Sequence, residues 1–364
     1  MKYYLIAGEA SGDMHAAKLM EKIKQLDERA VFRYWGGDLM QEVAGNPPVK
    51  HYRDLAFMGF AEVIANLGEI MKNIKMCKKD ISSFAPDIVI FIDYPGFNLR
   101  IAEFAHNQGF KTAYYISPQI WAWKESRIKT IKRNIDKMLV ILPFEEKFYK
   151  KHNFKVDFVG HPLLEELGEN PRKKEETKTI ALAPGSRKQE VEKMLPVMLE
   201  AVRNFKDYKA VVAASKNLPE ELYKHIIGDR KVELKFNDMR NILAKSDAAL
   251  VTSGTATLET ALLEIPQVVC YKAGRISYLI AKNLIKVKYI SLVNLIPDAP
   301  IVKELIQNDL TVENIRKELK EILPGGSKHQ TLLENYQKLP ALLGGKGASR
   351  RAAEIIVKSI TEKK

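Results

Sequence analysis

At 364 residues the chain is too long for one simple core and implies two domains. Its 46% hydrophobic and 28% charged residues are ordinary for a soluble globular protein, and no apolar run approaches the ~20 residues of a membrane span. A net charge of +13 favours a polyanionic partner, and without any RNP, zinc-finger or arginine-rich signature an anionic membrane face or a phosphorylated substrate is preferred over nucleic acid.

The first half alternates strand and helix patterns. The N-terminal apolar run, a strand over 3–7, leads straight into a glycine turn and lacks the length and cleavage site of a signal peptide. A helix over 13–26 follows, then a strand over 31–35 ending at Gly36-Gly37, and a helical pattern over 60–79. Strands are expected over 88–92, 111–116 and 137–142, with helices over 99–108 and 125–134 between them. This alternation implies a mostly parallel sheet covered by helices. Val159-Gly160-His161-Pro162 closes the half, with His161 equally a turn residue or a participant in chemistry, and the charged stretch 170–176 reads as a linker. The pattern then restarts: strands over 179–183, 209–213, 247–252 and 267–271, helices over 189–205 and 255–263. Beyond Gly344-Gly345, a terminal helix over 349–360 carries Ala352, Ile355, Ile356 and Ile360 on one stripe. It can cross back to the first domain or join a second copy as a homodimer. The expected domains are 1–165, with the helix 346–364 added to it, and 178–340. The two cysteines, Cys77 and Cys270, stand far apart in apolar settings, which fits a reducing compartment.

Ile88-Val89-Ile90-Phe91-Ile92 is apolar and largely β-branched, as a strand buried on both faces must be. Asp93 follows at its carboxyl end, where open α/β sheets bind ligands, and Pro95-Gly96 turns the chain. Asp93 reads equally as a site carboxylate and as a turn or N-cap residue. Three further strand ends carry small-residue turns that open helices: Gly8-Glu9-Ala10-Ser11-Gly12-Asp13, Pro184-Gly185-Ser186-Arg187 and Ser253-Gly254-Thr255-Ala256-Thr257. Each presents backbone N–H groups that attract anions. None is a G-x-G-x-x-G or a P-loop, so dinucleotide and ATP readings lose support. Arg187 can fork two donors onto a diphosphate, against the plainer reading of a surface arginine. Glu259, one turn into its helix, can accept ribose hydroxyls or stand solvated. The second half thus reads as the holder of a nucleoside diphosphate, and the first as the holder of an acceptor near Asp93.

An ordered series of motifs resembles the lipid-A-disaccharide synthases. It runs through Ala7 to Asp13, Phe57-Met58-Gly59-Phe60-Ala61-Glu62-Val63, Asp93-Tyr94-Pro95-Gly96-Phe97-Asn98 and Ser117-Pro118-Gln119-Ile120-Trp121-Ala122-Trp123. Pro143-Phe144-Glu145, Val159 to Pro162, Pro184 to Arg187, Ser253 to Glu259 and Ser291-Leu292-Val293-Asn294-Leu295 continue it. The resemblance implies an α/β fold of the GT-B type, with two Rossmann-like domains facing a cleft. It implies inverting transfer of 2,3-diacylglucosamine from its UDP donor to 2,3-diacylglucosamine 1-phosphate, forming a β-1,6 disaccharide and UDP. Two departures stand out: Gly96 occupies a position where related sequences often have a second acid, and Ala183 replaces a more usual leucine.

Inversion needs one in-line attack by the acceptor 6-hydroxyl, and a base must take its proton. Asp93 is the expected catalytic residue. Arg187 and the N–H groups near Gly185-Ser186 and Ser253-Gly254-Thr255 are expected to stabilise the departing UDP. No metal and no cofactor are expected. By resemblance Asn294, Glu304 and Gln307 border the donor sugar, the last two on one face of a helix over 302–307, with Thr257 and Glu259 also on the donor side. Glu9, Ser11 and Gly12 belong to the acceptor side. Phe60, Val63, Ile64, Leu67, Ile70, Met71 and Ile74 with Lys72, Lys75, Lys78 and Lys79 resemble an interfacial helix, against the more common reading of such a stripe as a core helix, and the basic, apolar segment 276–290 can face an anionic bilayer. Trp121 and Trp123 lean to core packing. The expected setting is cytoplasmic, peripheral on an anionic inner membrane. Rival readings are another GT-B transferase for a lipid acceptor, a UDP-sugar epimerase, and a nucleotide-sensing, membrane-docking protein without turnover.

Overall fold

Ile88–Ile92 is a strand buried along its whole length, as its unbroken apolar run requires. The structure, a computed structural model, describes residues 1–55, 67–167, 177–274 and 287–362. The chain divides into two units, Met1–Pro162 with Gly344–Lys364, and Leu163–Leu343. The charged stretch 170–176, the motif Phe57 to Val63 and most of 276–290 lie outside the described residues.

The first unit runs β1 (Lys2–Ala7), α1 (Ala10–Leu26), β2 (Val31–Gly36), α2 (Asp38–Ala44), β3 (Lys50–His51), α3 (Leu67–Phe84) and β4 (Ile88–Ile92). It continues with α4 (Pro95–Asn107), β5 (Lys111–Tyr115), α5 (Ile128–Asn134), β6 (Lys137–Val140), α6 (Pro143–Lys151) and β7 (Asp157–Phe158). The strands form one parallel, 7-stranded sheet in the order β3-β2-β1-β4-β5-β6-β7. Alternation of side chains along β1 builds two cores. Tyr4 and Ile6 pack with Ile74, Cys77 and Ile101 on one face, while Tyr3, Leu5 and Ala7 pack with Leu19, Met20 and Ile23 on the other.

The second unit holds α7 (Leu163–Glu166), β8 (Thr179–Ala183), α8 (Lys188–Val202), β9 (Lys209–Ala214), α9 (Glu220–Ile227), β10 (Glu233–Phe236), α10 (Met239–Ala244) and β11 (Ala248–Thr252). Then come α11 (Thr255–Leu262), β12 (Gln267–Tyr271), α12 (Leu292–Leu295), β13 (Lys303–Ile306), α13 (Val312–Ile322), α14 (His329–Tyr336) and α15 (Leu339–Leu342). Its parallel, 6-stranded sheet runs β10-β9-β8-β11-β12-β13. In each sheet the order reverses direction between two adjacent central strands: β1 and β4 in the first, β8 and β11 in the second.

Three expectations change here. Residues 302–307 are not a helix: β13 pairs with β12 at the sheet edge, and Gln307–Asp309 is a short 3-10 turn. Pairing along a ready strand edge overrides the spacing of Glu304 and Gln307. In α3, Ile74, Cys77 and Ile81 face the core and Ile70 packs against it, so most of the described stripe is spent inside. Met71 and Met76 point outward, exposed beside Lys72 and Lys75. The terminal helix α16 (Ala348–Thr361) lies on α1, with Ala352, Ala353 and Ile356 fully buried. Its stripe is therefore covered within its own unit and is not an open face for a homodimer.

Candidate active site

Asp93 follows β4 at the switch point of the first sheet, beside the end of β1, from which Glu9 and Ser11 emerge. Asp93 and Tyr94 both hold left-handed backbone, with φ of 42° and 49°. That costs non-glycine residues of order 1–3 kcal/mol each and persists only where the surroundings enforce it. The enforcing bonds are visible. Asn98 Nδ2, fully buried on α4, donates to the carbonyls of Asp93 at 2.8 Å, Ile92 at 3.2 Å and Ile6 at 3.4 Å. Tyr114 Oη donates to the Asp93 carbonyl at 2.5 Å. Gly8 makes room for the Tyr94 ring, since a Cβ there would stand 2.3 Å from it.

Burial, and after it the Glu9 carboxylate, pushes the Asp93 carboxyl up to about 6, against the pull of the Tyr94 N–H. The group is thus deprotonated at neutral pH yet basic enough to accept a proton. Ser11 Oγ donates to Glu9 Oε1 at 2.7 Å. Gly12 serves packing, because a Cβ there would meet the Ala7 Cβ at 3.3 Å. Asp13 is structural: its carboxylate takes the N–H groups of Gly37, Leu39 and Met40 at the start of α2. His161 is buried, and burial, then His15, drives its pKa down to about 3.

The second unit places the Gly185-Ser186-Arg187 turn after β8 and the Ser253-Gly254-Thr255 turn after β11, at its own switch point. The N–H groups near Gly185 and Ser186 are not open, contrary to expectation. Glu190 Oε2 accepts from Ser186 N–H at 3.1 Å and Arg187 N–H at 3.2 Å, and its Oε1 meets Arg187 Nη1 at 3.1 Å. Gly185 has φ of 103°, and a Cβ there would fall 2.5 Å from Glu190 Oε2. The Arg187 side chain is 76% exposed. Gly254 and Thr255 are exposed, Ser253 Oγ donates to the Ile290 carbonyl, and buried Thr257 closes its own turn on the Gly254 carbonyl.

Glu259 is not a lone carboxylate, since Arg240 Nε donates to its Oε1 at 2.9 Å. Glu304, on β13, accepts from Ile290 N–H, Ser291 N–H, Ser291 Oγ and Asn294 Nδ2, all within 3.0 Å. Asn294 also donates to the Val302 carbonyl and accepts from the Val302 N–H. This pair therefore ties β13 to the start of α12. Gln307 holds φ of 54°, and its buried Nε2 has no partner among the described residues.

Four contributors were missed from sequence. Glu190 stands three residues after Arg187, the spacing at which a glutamate caps a helix, and that signal was readable. Asn98 lay inside a quoted motif without a role. Arg240 and Tyr114 carry no local signal, because each reaches its partner through the fold.

Residues 3–360 match the protein family described as Lipid-A-disaccharide synthetase. The chain is 39% identical over 366 residues to a lipid-A-disaccharide synthase of Syntrophus aciditrophicus (strain SB), covering 96% of this chain and 95% of that protein. Among solved structures it resembles the UDP-GlcNAc 2-epimerase from Neisseria meningitidis bound to UDP-GlcNAc, with TM-score 0.66 and 13% identity over 100% of both chains. It also resembles CalG4, the calicheamicin glycosyltransferase, with TM-score 0.64 and 14% identity over 99% of this chain and 98% of that one. At such identities these structures speak for the GT-B-type fold alone.

Proposed function

This chain belongs to the lipid-A-disaccharide synthase family, and on that premise we propose that Asp93 is the base of its glycosyl transfer. The enzyme is a UDP-sugar-dependent glycosyltransferase. It joins UDP-2,3-diacylglucosamine to 2,3-diacylglucosamine 1-phosphate. The acceptor 6-hydroxyl attacks the anomeric carbon as the bond to UDP breaks, inverting the configuration. Asp93 takes the hydroxyl proton as the new bond forms, so the nucleophile never has to exist as a free alkoxide. The observation that carries this reading is the carboxyl held near pH 6 on strained backbone at the switch point, beside Glu9.

On the donor side, negative charge builds on the leaving UDP. Exposed Arg187 and the Gly254 and Thr255 N–H groups are the proposed stabilisers. For the diphosphate to reach the Ser186 and Arg187 N–H groups it must displace Glu190, an anion already seated where an anion belongs. Glu259 keeps Oε2 for a ribose hydroxyl while Arg240 fixes Oε1. Gln307, with its unspent Nε2, is the proposed donor to the sugar, on a wall braced by Glu304 and Asn294.

Peripheral attachment to the cytoplasmic side of an anionic membrane completes the proposal. It is supported by the net charge of +13, by two lipid substrates, and by exposed Met71 and Met76 beside Lys72 and Lys75. Among the described residues no helix is long and apolar enough to cross a membrane.

The test is incubation of purified protein with both diacylated substrates in EDTA, following UDP and disaccharide. Wild type should turn over, and Asp93→Ala should lose about 10²–10⁴-fold in kcat while still binding both substrates. A normal kcat for Asp93→Ala would remove it as the base.

A further inference from the structure

Helix α11 opens from the Ser253-Gly254-Thr255 turn at the switch point of the second sheet. Glu259 stands four residues after Thr255, so the two share one face of the helix. Helical side chains lean toward the N-terminus, which carries the Glu259 carboxylate back toward that turn. Its orientation is set from outside. Arg240 Nε donates to Glu259 Oε1 at 2.9 Å. Arg240 Nη1 donates to the Glu166 carbonyl, also at 2.9 Å, one of the last carbonyls of α7 that a helix end leaves open. Two nitrogens of one rigid plane are thus anchored on two separate elements, and a guanidinium so pinned cannot swing.

The backbone beneath is fixed as well. Leu167 after α7, Met239 on α10 and Ala256 on α11 pack against one core cluster that includes Leu243 and Val251. Leu167 and Met239 adjoin Glu166 and Arg240 in the chain, and Ala256 lies three residues before Glu259. The Glu166 and Glu259 side chains are only 7% and 13% exposed, so little water competes for the guanidinium they share. Glu259 Oε1 is taken, while Oε2 makes no hydrogen bond among the described residues.

We propose that Arg240 is a positioning residue for the donor nucleotide: by holding Oε1 it aims Glu259 Oε2 at the ribose, and so makes the enzyme select ribonucleotides over deoxyribonucleotides. The inference rests on the reading of Glu259 as a ribose acceptor given above and adds what orients it. An oxygen already fixed in direction accepts a ribose hydroxyl with no further ordering cost. A nucleotide that lacks the hydroxyl leaves this largely dry oxygen unpaired, and sites of that kind reject the analogue strongly. A guanidinium suits the task because it spans the Glu166 carbonyl and Glu259 at once, whereas an ammonium is a point charge without a fixed fork.

The experiment titrates the full chain with UDP and with 2′,3′-dideoxy-UDP by calorimetry, beside the melting temperature of each ligand-free variant. Wild type should prefer UDP by about ten- to a hundredfold, the worth of one hydrogen bond to a charged group. Arg240→Met keeps the length of the stem. Arg240→Lys keeps the charge and supplies a folded variant should Arg240→Met fail to fold. Each folded variant should bind UDP about tenfold more weakly and the dideoxy analogue as wild type does, so that the preference collapses toward one. An effect on structure alone would weaken both nucleotides alike. That result, an unchanged preference in a folded variant, or tighter UDP binding would each overturn the proposal. Absence of any preference in wild type, with Glu259→Ala binding UDP normally, would instead strike the ribose reading of Glu259 itself.

Discussion

At the scale of single residues, the chemistry turns on one proton. As the proposed base, Asp93 can accept it only when ionised, and burial together with Glu9 holds its carboxyl up at about 6. Below that pH the folded enzyme carries the protonated, inactive acid, and above it the base form. The acid limb of kcat/KM should therefore rise through pH 6 and level off above pH 7. Glu9→Gln removes the like charge but not the burial, so the limb should move to lower pH by part of the shift. A pH–rate profile decides this, and a limb that stays put or moves upward rules out the Glu9 coupling. Arg187 shows the complementary lesson. Its identity and place were readable, whereas its present partner, Glu190, required the α8 helix to be in position.

At the scale of elements, the β1–α1 turn and the β4–α4 turn work as one device. Gly8 lets the Tyr94 ring lie against it, and Tyr94 shares the left-handed backbone of Asp93, the proposed base. Gly8→Ala would set a Cβ 2.3 Å from that ring. Overpacking of this kind costs about 1–3 kcal/mol of stability, and a misplacement near 1 Å can cost about 10²-fold in rate. We expect a folded variant with kcat down by that order and UDP binding unchanged. A kcat within about twofold of wild type would mean that Tyr94 does not aim the base. The β13 edge belongs to this scale too. A spacing that suited one helical face gave way to strand pairing with β12, and Glu304 became a brace for Ser291 and Asn294.

At the scale of the molecule, the first unit is assembled from both ends of the chain. The terminal helix α16 fills the groove on α1, and Arg351 Nε donates to the Val159 carbonyl at 2.8 Å. Ile356 is fully buried there. Truncation of such a side chain costs about 2–5 kcal/mol. Ile356→Ala should therefore lower the melting temperature of the first unit and leave UDP binding by the second intact at moderate temperature. An unchanged calorimetric trace would show that α16 contributes little to that core.

Local pattern alone determined that this chain has two α/β units, which runs are buried strands, and which strand ends carry Asp93, Arg187 and the glycine turns. Those features follow from hydrophobic periodicity and from turn-forming residues, which act over a few neighbours. Tertiary structure decided the rest: that β1 lies beside β4 and β8 beside β11, so that the turns converge at switch points. It also decided that Glu190 accepts from the Ser186 and Arg187 N–H groups and that Arg240 meets Glu259. Such pairings bring together residues from separate elements, and sheet order, which no short window of sequence encodes, sets who meets whom.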